Sequence, residues 1–366
     1  MSAAPIELPR WVDLVLVPML AVVAAFFVAG LVVLAIGENP LQATALLLRG
    51  ALGSGEGIGF TLYYATNFIF TGLAVAVAYH AGLFNIGGEG QATLGGLGAA
   101  LVCLNLEGLP GWLLAPLGIL ASAAFGAAWA LIPAYLQAKR GSHIVITTIM
   151  FNMLASALIV YLLVNVMGRA GSMAPETRPF PAASHIPFMH VVLQGLGFPV
   201  PASPLNLSFV LALAMAVLMW VVIWRTRLGY AIRTVGANPT AAVYAGIPIA
   251  RITVIAMLIS GALAGLVAVN EIMGVQERLL LEFTAGAGFI GIAVALMGRS
   301  HPLGIVLASI LFGVLYQGGT ELAFERPAIT RDMIVTISGL VILFAGALDG
   351  IFRRPLAQFF ARRKGA

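Results

Sequence analysis

Most of the chain consists of apolar runs of about twenty residues, the length that an α-helix needs to cross the hydrocarbon core of a membrane. Of its 366 residues, 61% are hydrophobic and only 9% are charged. A soluble domain carries about 25% charged residues, so a folded surface in contact with water cannot be built from so few. The sequence therefore predicts an all-α integral membrane protein, whose length counts membrane spans rather than globular domains.

Ten apolar segments are predicted to span the membrane. They are Val12 to Ile36, Phe60 to Tyr79, Gly87 to Leu106, Trp112 to Gln137, Ile144 to Val166, Leu207 to Trp224, Ile252 to Met273, Ala285 to Met297, Leu303 to Gln317 and Met333 to Leu348. The eighth and ninth are short and rich in glycine, which is typical of broken or re-entrant helices, so eight or nine spans also fit. Gly87 to Ala99 and Gly286 to Gly298 echo each other and indicate an inverted repeat. A single transmembrane domain over residues 1–366 is expected, with its membrane core at residues 12–350.

The lysines and arginines fall mostly on one side of this arrangement, the side that holds both chain termini. By the positive-inside rule both termini are cytoplasmic, and the protein is a multi-pass protein of the cell membrane. A loop at residues 167–206 then lies outside as an ordered loop or short helix, and a loop at residues 225–251 lies inside. The basic tail at residues 352–366 is expected to anchor on anionic membrane lipid. Basic residues confined to short loops and a tail do not form the face that nucleic acid requires.

Polar side chains interrupt the apolar pattern at one glycine-rich stretch, Gly82 to Gln91. A carboxylate inside a membrane costs at least about 2.5 kcal/mol, so it usually faces a bundle interior or a water-filled cavity. Two interpretations are open: these side chains line a substrate pathway, or they cap a broken helix and lock helices together. The candidate pathway residues are Asn85, Glu89, Gln91, Asn67 and Asn152. Glu271, at the outer end of its span, is predicted to be solvated.

The residues needed for ATP hydrolysis or metal chemistry do not occur in the required patterns. A phosphate-binding loop needs a lysine before Ser or Thr, whereas Lys139 and Lys364 precede Arg140 and Gly365. The five histidines are scattered, and a single cysteine excludes a cysteine-based metal site. We therefore expect no catalytic residues, no metal site and no cofactor bound by this chain. Any ATP would be hydrolysed by another polypeptide.

Within the loop at residues 225–251, the sequence predicts a turn followed by a short surface helix. Asn238-Pro239 fits a helix cap with proline at the first helical position, and Gly246 fits the helix end. A partner protein's groove could bind such a helix, although an interfacial helix without a partner has the same pattern. The candidate docking residues are Arg233, Gly236, Asn238, Pro239, Ala241, Ala242, Tyr244 and Gly246.

Three motifs together resemble the branched-chain amino acid and ribose permease family, and within it the nucleoside-type permeases. The first is Ala241-Ala242-x-x-x-Gly246, which matches the loop by which importer permeases of the ATP-binding cassette class dock on their ATPases. The others are Gly82 to Gln91 and Gly288 to Pro302. The similarity runs from about Phe60 to Gly350. Thr240 stands where the family's docking motif usually begins with glutamate, which argues against a salt bridge to the ATPase from that position.

The resemblance implies a permease subunit of an ATP-binding cassette importer for nucleosides or related purine compounds, which works by alternating access. It also implies three partners besides membrane lipid. These are a second related permease in a homo- or heterodimer, a cytoplasmic ATP-binding subunit that uses ATP with Mg²⁺, and a periplasmic or lipoprotein substrate-binding protein. The expected location is a bacterial plasma (inner) membrane.

Three alternative functions stay open. The chain could be a permease for simple sugars or amino acids, since related permeases carry these solutes. A proton-coupled secondary transporter would need no ATPase and would use Glu89 as the titrating group. A membrane-embedded enzyme would require acids, bases or metal ligands clustered at one membrane face, and the scattered histidines and carboxylates argue against it.

Overall fold

The computed structural model describes residues 16–326 except 36 and 170, together with the isolated positions 12, 329, 333, 336, 339 and 340. Among these residues helices dominate, and the only extended pairing is two isolated bridges. The chain divides into two compact units. One is Gly55–Gly313, and the other combines Met1–Ser54 with Val314–Ala366.

The Gly55–Gly313 unit contains long apolar helices joined by short helices and turns. Its helices are α3 (Gly55–His80), α4 (Gly88–Asn105), α5 (Gly111–Arg140), α6 (Ile144–Asn165), α7 (Met189–Gly195), α8 (Ser208–Arg225), α9 (Arg227–Ala237), α10 (Pro239–Tyr244), α11 (Ile249–Gly265), α12 (Ala287–Met297) and the first part of α13 (Pro302–Glu325). A 3₁₀ turn at Ala182–Ser184 precedes α7, and a π-helical turn at Val269–Met273 follows α11.

The other unit holds α1 (Val17–Ala35), α2 (Pro40–Leu52) and the last part of α13. The apolar pattern did not predict α2, although the sequence carries its start signal. The Asn39 Oδ1 accepts from the backbone N–H of Leu41 at 3.0 Å, and Pro40 occupies the first helical position. α2 packs closely on α13, because a Cβ at Gly318 would collide with the Leu47 carbonyl.

Six helices of the described chain are long and apolar enough to cross a membrane: Gly55–His80, Gly111–Arg140, Ile144–Asn165, Ser208–Arg225, Ile249–Met273 and Pro302–Glu325. α3 is an inner helix, because 83% of its most apolar stretch is buried. In α6 only 28% is buried, and side chains such as Ile146 and Met153 are exposed. A long helix with exposed apolar side chains suits contact with lipid. The prediction of an all-α integral membrane protein is confirmed.

The helices agree with some predicted spans and differ from others. α4 nearly coincides with the predicted third span, and α12 is short as predicted, with 11 residues. The ninth span is not short, since α13 has 24 residues. Its glycines act as packing points instead of breaks: a Cβ at Gly313 would collide with the Thr61 carbonyl. The tenth predicted span and the tail at 352–366 lie largely or wholly outside the described residues, so the span count stays a prediction.

Candidate functional site

The starts of α4 and α12 meet in what we call the α4–α12 junction, formed by Gly88, Glu89, Thr284, Gly286 and Gly288. The two backbones touch there, because a Cβ at Gly288 would collide with the backbone nitrogen of Glu89. The Glu89 side chain reaches across to α12. Its Oε1 accepts from the backbone N–H of Gly286 at 3.0 Å, and its Oε2 accepts from that of Gly288 at 2.8 Å. The Thr284 hydroxyl donates to the same Oε1.

A carboxylate suits this position for two reasons. The first N–H groups of a helix have no acceptor within the helix, and the aligned peptide dipoles place partial positive charge at the same end. Glu89 is half-buried, and its hydrogen bonds offset part of the cost of removing the charge from water. Glu89 thus makes the contacts expected of a residue that caps a helix and locks two helices together. Contact between Glu89 and a substrate stays a prediction.

Three other predicted pathway residues hold the start of α4. Asn85 and Gln91 are each 1% exposed, and the Asn85 Nδ2 donates to the Gln91 Oε1 at 2.9 Å. On α6, the Asn152 Oδ1 accepts from the backbone N–H of Gly90 at 2.9 Å. The Asn152 Nδ2 donates to the Ile86 carbonyl, also at 2.9 Å. These bonds fix the non-helical stretch between α3 and α4, whose backbone groups need partners where water is scarce.

A second polar group lies between α3, the start of α8 and the π-helical turn. We call it the Asn270 cluster; its members are Asn67, Asn206, Ser208, Asn270 and Glu271, all buried. The Asn270 Nδ2 donates to the Asn67 Oδ1 at 2.9 Å. The Asn270 Oδ1 accepts from the Asn206 Nδ2 at 3.0 Å and from the Ser208 hydroxyl at 2.7 Å. The Asn67 Nδ2 donates to the Glu271 Oε1. The Asn270 Nδ2 also donates to the Tyr63 carbonyl at 3.2 Å, so the cluster joins three helical elements mainly through side chains.

The prediction that Glu271 is solvated is wrong. Its side chain is 7% exposed and bonded to Asn67, because the π-helical turn continues the helical path of α11 and carries the carboxylate into the interior. Such turns add a residue and so redirect the side chains that follow. Sequence reasoning also missed Asn206, Ser208 and Asn270. The available signal was the occurrence of adjacent polar residues at the head of one apolar run and inside another.

The α9–α10 segment (residues 227–244) contains most of the predicted docking residues. The Asn238 Oδ1 accepts from the backbone N–H of Ala241 at 3.0 Å, with Pro239 at the first helical position. Gly246 follows the helix with a left-handed φ of +73°. The predicted cap and helix end are therefore confirmed.

The turn predicted before this helix is wrong. Arg233 and Gly236 lie inside α9, which the Thr226 hydroxyl caps by accepting from the backbone N–H of Gly229 at 3.1 Å. Thr226 is a preferred N-cap residue type, and its cap starts the helix well before the glycine that suggested a turn.

The two faces of α10 differ. Ala242 is 0% exposed, whereas Tyr244 is 90% exposed and Val243 is 60% exposed. The exposed side lines a shallow depression whose residues are Pro239, Thr240, Val243, Tyr244 and Ile249. The Tyr244 and Val243 side chains are therefore available for contact with another molecule.

A loop segment at residues 176–188 pairs with the chain that leads into α12. The backbone N–H of Thr177 donates to the Leu279 carbonyl at 3.1 Å, and that of Phe180 donates to the Glu277 carbonyl at 2.7 Å. An ion pair joins Arg278 to Glu176 at 3.1 Å. The loop at 167–206 thus holds ordered structure, including a 3₁₀ turn and α7, as the sequence predicted.

Comparison with known proteins gives a consistent set of matches. The family model described as "Branched-chain amino acid transport system / permease component" matches residues 57–346. The glucose ABC transporter permease protein of Haloferax volcanii is 37% identical, covering 94% of this chain and 90% of its own. The guanosine ABC transporter permease protein of Bacillus subtilis is 34% identical, covering 91% of this chain and 93% of its own. The nucleoside ABC transporter permease protein of Lactococcus lactis is 33% identical, covering 90% of each chain.

Proposed function

The chain belongs to the family of branched-chain amino acid transport system permease components, and we propose that it is the membrane permease subunit of an ATP-binding cassette importer for nucleosides or related purine compounds. The observation that carries this proposal is the similarity along about nine-tenths of the chain to two permeases, one named for guanosine and one for nucleosides. The family match itself covers both polar groups and the α9–α10 segment.

In this proposal a separate cytoplasmic subunit binds ATP with Mg²⁺ and docks on α10. The exposed ring of Tyr244 and the depression beside it form the contact surface, while buried Ala242 ties α10 to the rest of the permease. A helix with one exposed and one buried face can transmit movement. The ATPase binds the exposed face of α10, and the buried face contacts the rest of the permease. The chain itself performs no chemistry on the substrate and works by alternating access.

The same proposal includes ten spans, both termini in the cytoplasm of a bacterial cell, and an inverted repeat. The repeat is supported by the α4–α12 junction, where two glycine-rich helices meet at their N-terminal ends. Helices that begin inside the membrane and point their N-terminal ends at a shared centre are typical of inverted-repeat transporters. The remaining partners are a second homologous permease, a periplasmic or lipoprotein substrate-binding protein and surrounding lipid.

A simple sugar is the second candidate substrate, because the relative from Haloferax volcanii is named for glucose and is 37% identical. The two candidates share sugar hydroxyls and differ in the purine base. Uptake of labelled guanosine and labelled glucose by cells that express the permease with its ATPase, second permease and binding protein separates them. Guanosine uptake that excess glucose does not reduce supports the nucleoside assignment; the reverse result supports the sugar.

The docking assignment is tested with Tyr244→Ala. The Tyr244 ring is exposed in this chain, so its removal should leave thermal stability unchanged. In the complex the ring would be buried against the ATPase, and loss of such an aromatic contact should lower co-purification of the ATPase and guanosine uptake by about tenfold. Tyr230→Ala on α9, which removes a ring that is 59% exposed, is the control and should have little effect. Unaltered ATPase binding in Tyr244→Ala, or transport by this chain alone under a proton gradient, would overturn the proposal.

A further inference from the structure

α12 is bonded at both ends to other helices. It has 11 residues, so it is about 16 Å long at the usual rise of 1.5 Å per residue. Glu89 binds its N-terminal end through two backbone N–H groups. At its C-terminal end the chain turns through Arg299 and Ser300, both with a φ of +52°. The Ser300 carbonyl there accepts from the His80 Nε2 at 2.9 Å.

His80 is the last residue of α3 and also contacts the segment that leads into α10. Gly236 of α9 lies directly on the His80 backbone, since a Cβ at Gly236 would collide with the His80 carbonyl. The His80 ring packs edge-on against Trp224, with centroids 5.1 Å apart, and Trp224 packs in turn on His301 at 5.1 Å. One residue therefore touches α9 through its backbone and the end of α12 through its side chain.

The hydrogen bond between His80 and Ser300 has a defined direction. A carbonyl oxygen only accepts, so the His80 Nε2 carries the proton and donates. A leucine or phenylalanine at this position would keep apolar contact with Trp224 and lose the donor. A glutamine has an amide N–H₂ that can supply the donor again. The three substitutions separate the hydrogen bond from the packing of the side chain.

The opposite end of α12 lies at an exposed edge of the fold. Ala285 is exposed and lies next to Gly286, whose N–H binds the half-buried Glu89 carboxylate. A small movement of α12 along its axis would part Glu89 from its donors, and the Asn270 cluster contains no residue of α12. Two distant sites in a protein are coupled when the packed elements between them can adopt two arrangements.

We propose that His80 is a positioning residue for transport, which transmits movement of the α9–α10 segment to α12 and so controls whether Glu89 holds the α4–α12 junction closed. This inference rests on the proposed function, because it requires an ATPase that moves α10. His80 touches no substrate in this scheme. It acts by fixing the C-terminal end of α12 to the part of the chain that the ATPase displaces.

The test uses the complete transporter in proteoliposomes, with labelled guanosine as the transported probe and His80→Leu, His80→Phe and His80→Gln as variants. Two readouts are made: guanosine moved per ATP hydrolysed, and the rate at which a membrane-impermeant maleimide labels Ala285→Cys in a Cys103→Ala background. His80→Leu and His80→Phe should hydrolyse ATP but move guanosine with a yield per ATP reduced by about tenfold, within the usual range of coupling between sites. In both, ATP should no longer change the labelling rate at position 285.

His80→Gln should restore both readouts towards those of the wild type, and His143→Leu is the matched control because His143 is exposed at the start of α6. His80→Leu and His80→Phe both lack the donor, so the inference can still be tested if one of them fails to fold. Wild-type yield and ATP-dependent labelling in a folded His80→Leu or His80→Phe variant would overturn the inference. A folded His80→Gln variant that behaves like His80→Phe would also overturn it. A wild-type complex that moves neither guanosine nor glucose would instead refute the proposed function.

Discussion

The α4–α12 junction and the Asn270 cluster both place a carboxylate among apolar helices, but they bind it differently. Glu89 binds backbone N–H groups at one helix end, is half-buried and lies beside exposed Ala285. Glu271 is 7% exposed and is bonded to Asn67 within a set of interlocking amides. In the junction every hydrogen bond goes to the Glu89 carboxylate, whereas in the Asn270 cluster several side chains bond to one another.

This difference indicates which region moves. Separating the junction exposes N–H groups that water can solvate at a half-open site. Separating the Asn270 cluster would leave several buried donors and acceptors without partners, each at a cost of about 1–3 kcal/mol. The cluster should therefore act as a fixed brace and the junction as a contact that can be released. Three changes test this contrast.

The largest effect is expected from Asn270→Leu. The change removes the side-chain acceptor of the Asn206 amide and the Ser208 hydroxyl, and it removes the donor to Asn67. The Asn206 amide keeps longer bonds to the Pro204 and Asn270 carbonyls, and stability should fall by about 3 kcal/mol. Thermal unfolding in detergent measures the loss. Asn105→Leu is the control, because Asn105 is exposed and its Nδ2 donates to the Leu101 carbonyl of its own helix. Equal stability of the two variants would contradict the assignment of the cluster as a brace.

Gly288→Ala should have the next largest effect and should act mainly on transport. The added Cβ collides with the Glu89 backbone, and overpacking of this kind costs about 1–3 kcal/mol. Because the strain falls on the contact between α4 and α12, guanosine uptake should fall strongly. The unfolding temperature should fall only slightly. Gly195→Ala adds a Cβ that meets no atom within 4 Å and should leave uptake unchanged. Normal uptake by Gly288→Ala would show that close contact at the junction is not needed.

The smallest effects are expected from the pair Glu89→Gln and Glu271→Gln, which compares the two carboxylates directly. A glutamine at position 89 places an N–H₂ group against one of the two backbone N–H donors. Because water can reach this half-buried site, the lost hydrogen bond corresponds to about 0.5–1.5 kcal/mol. A glutamine at position 271 can still accept from Asn67. Leakage of preloaded guanosine from proteoliposomes without ATP should rise in Glu89→Gln and stay near wild type in Glu271→Gln. Equal leakage would remove the distinction between the two regions.

Several features could be predicted because they depend on neighbouring residues. Asn238-Pro239 and Gly246 defined α10 before any packing was known, since a cap, a first-turn proline and a left-handed end are local in sequence. The same Asn-Pro signal occurs at Asn39-Pro40, but the length of apolar runs does not predict a helix as short as α2. Glycines misled the prediction where they serve packing, as at Gly236 and Gly313.

The sequence by itself determined that the chain is a bundle of membrane helices, because a continuous apolar run of about twenty residues can bond all its backbone groups internally as an α-helix. It also singled out Glu89 and its neighbouring amides as polar groups in an apolar setting. Only the tertiary structure decided what they bind. Glu89 meets Gly288 across 199 residues, and Asn67 meets Glu271 across 204. Local propensity does not encode such contacts; they form when helices from distant parts of the chain pack together and each buried polar group must find a partner.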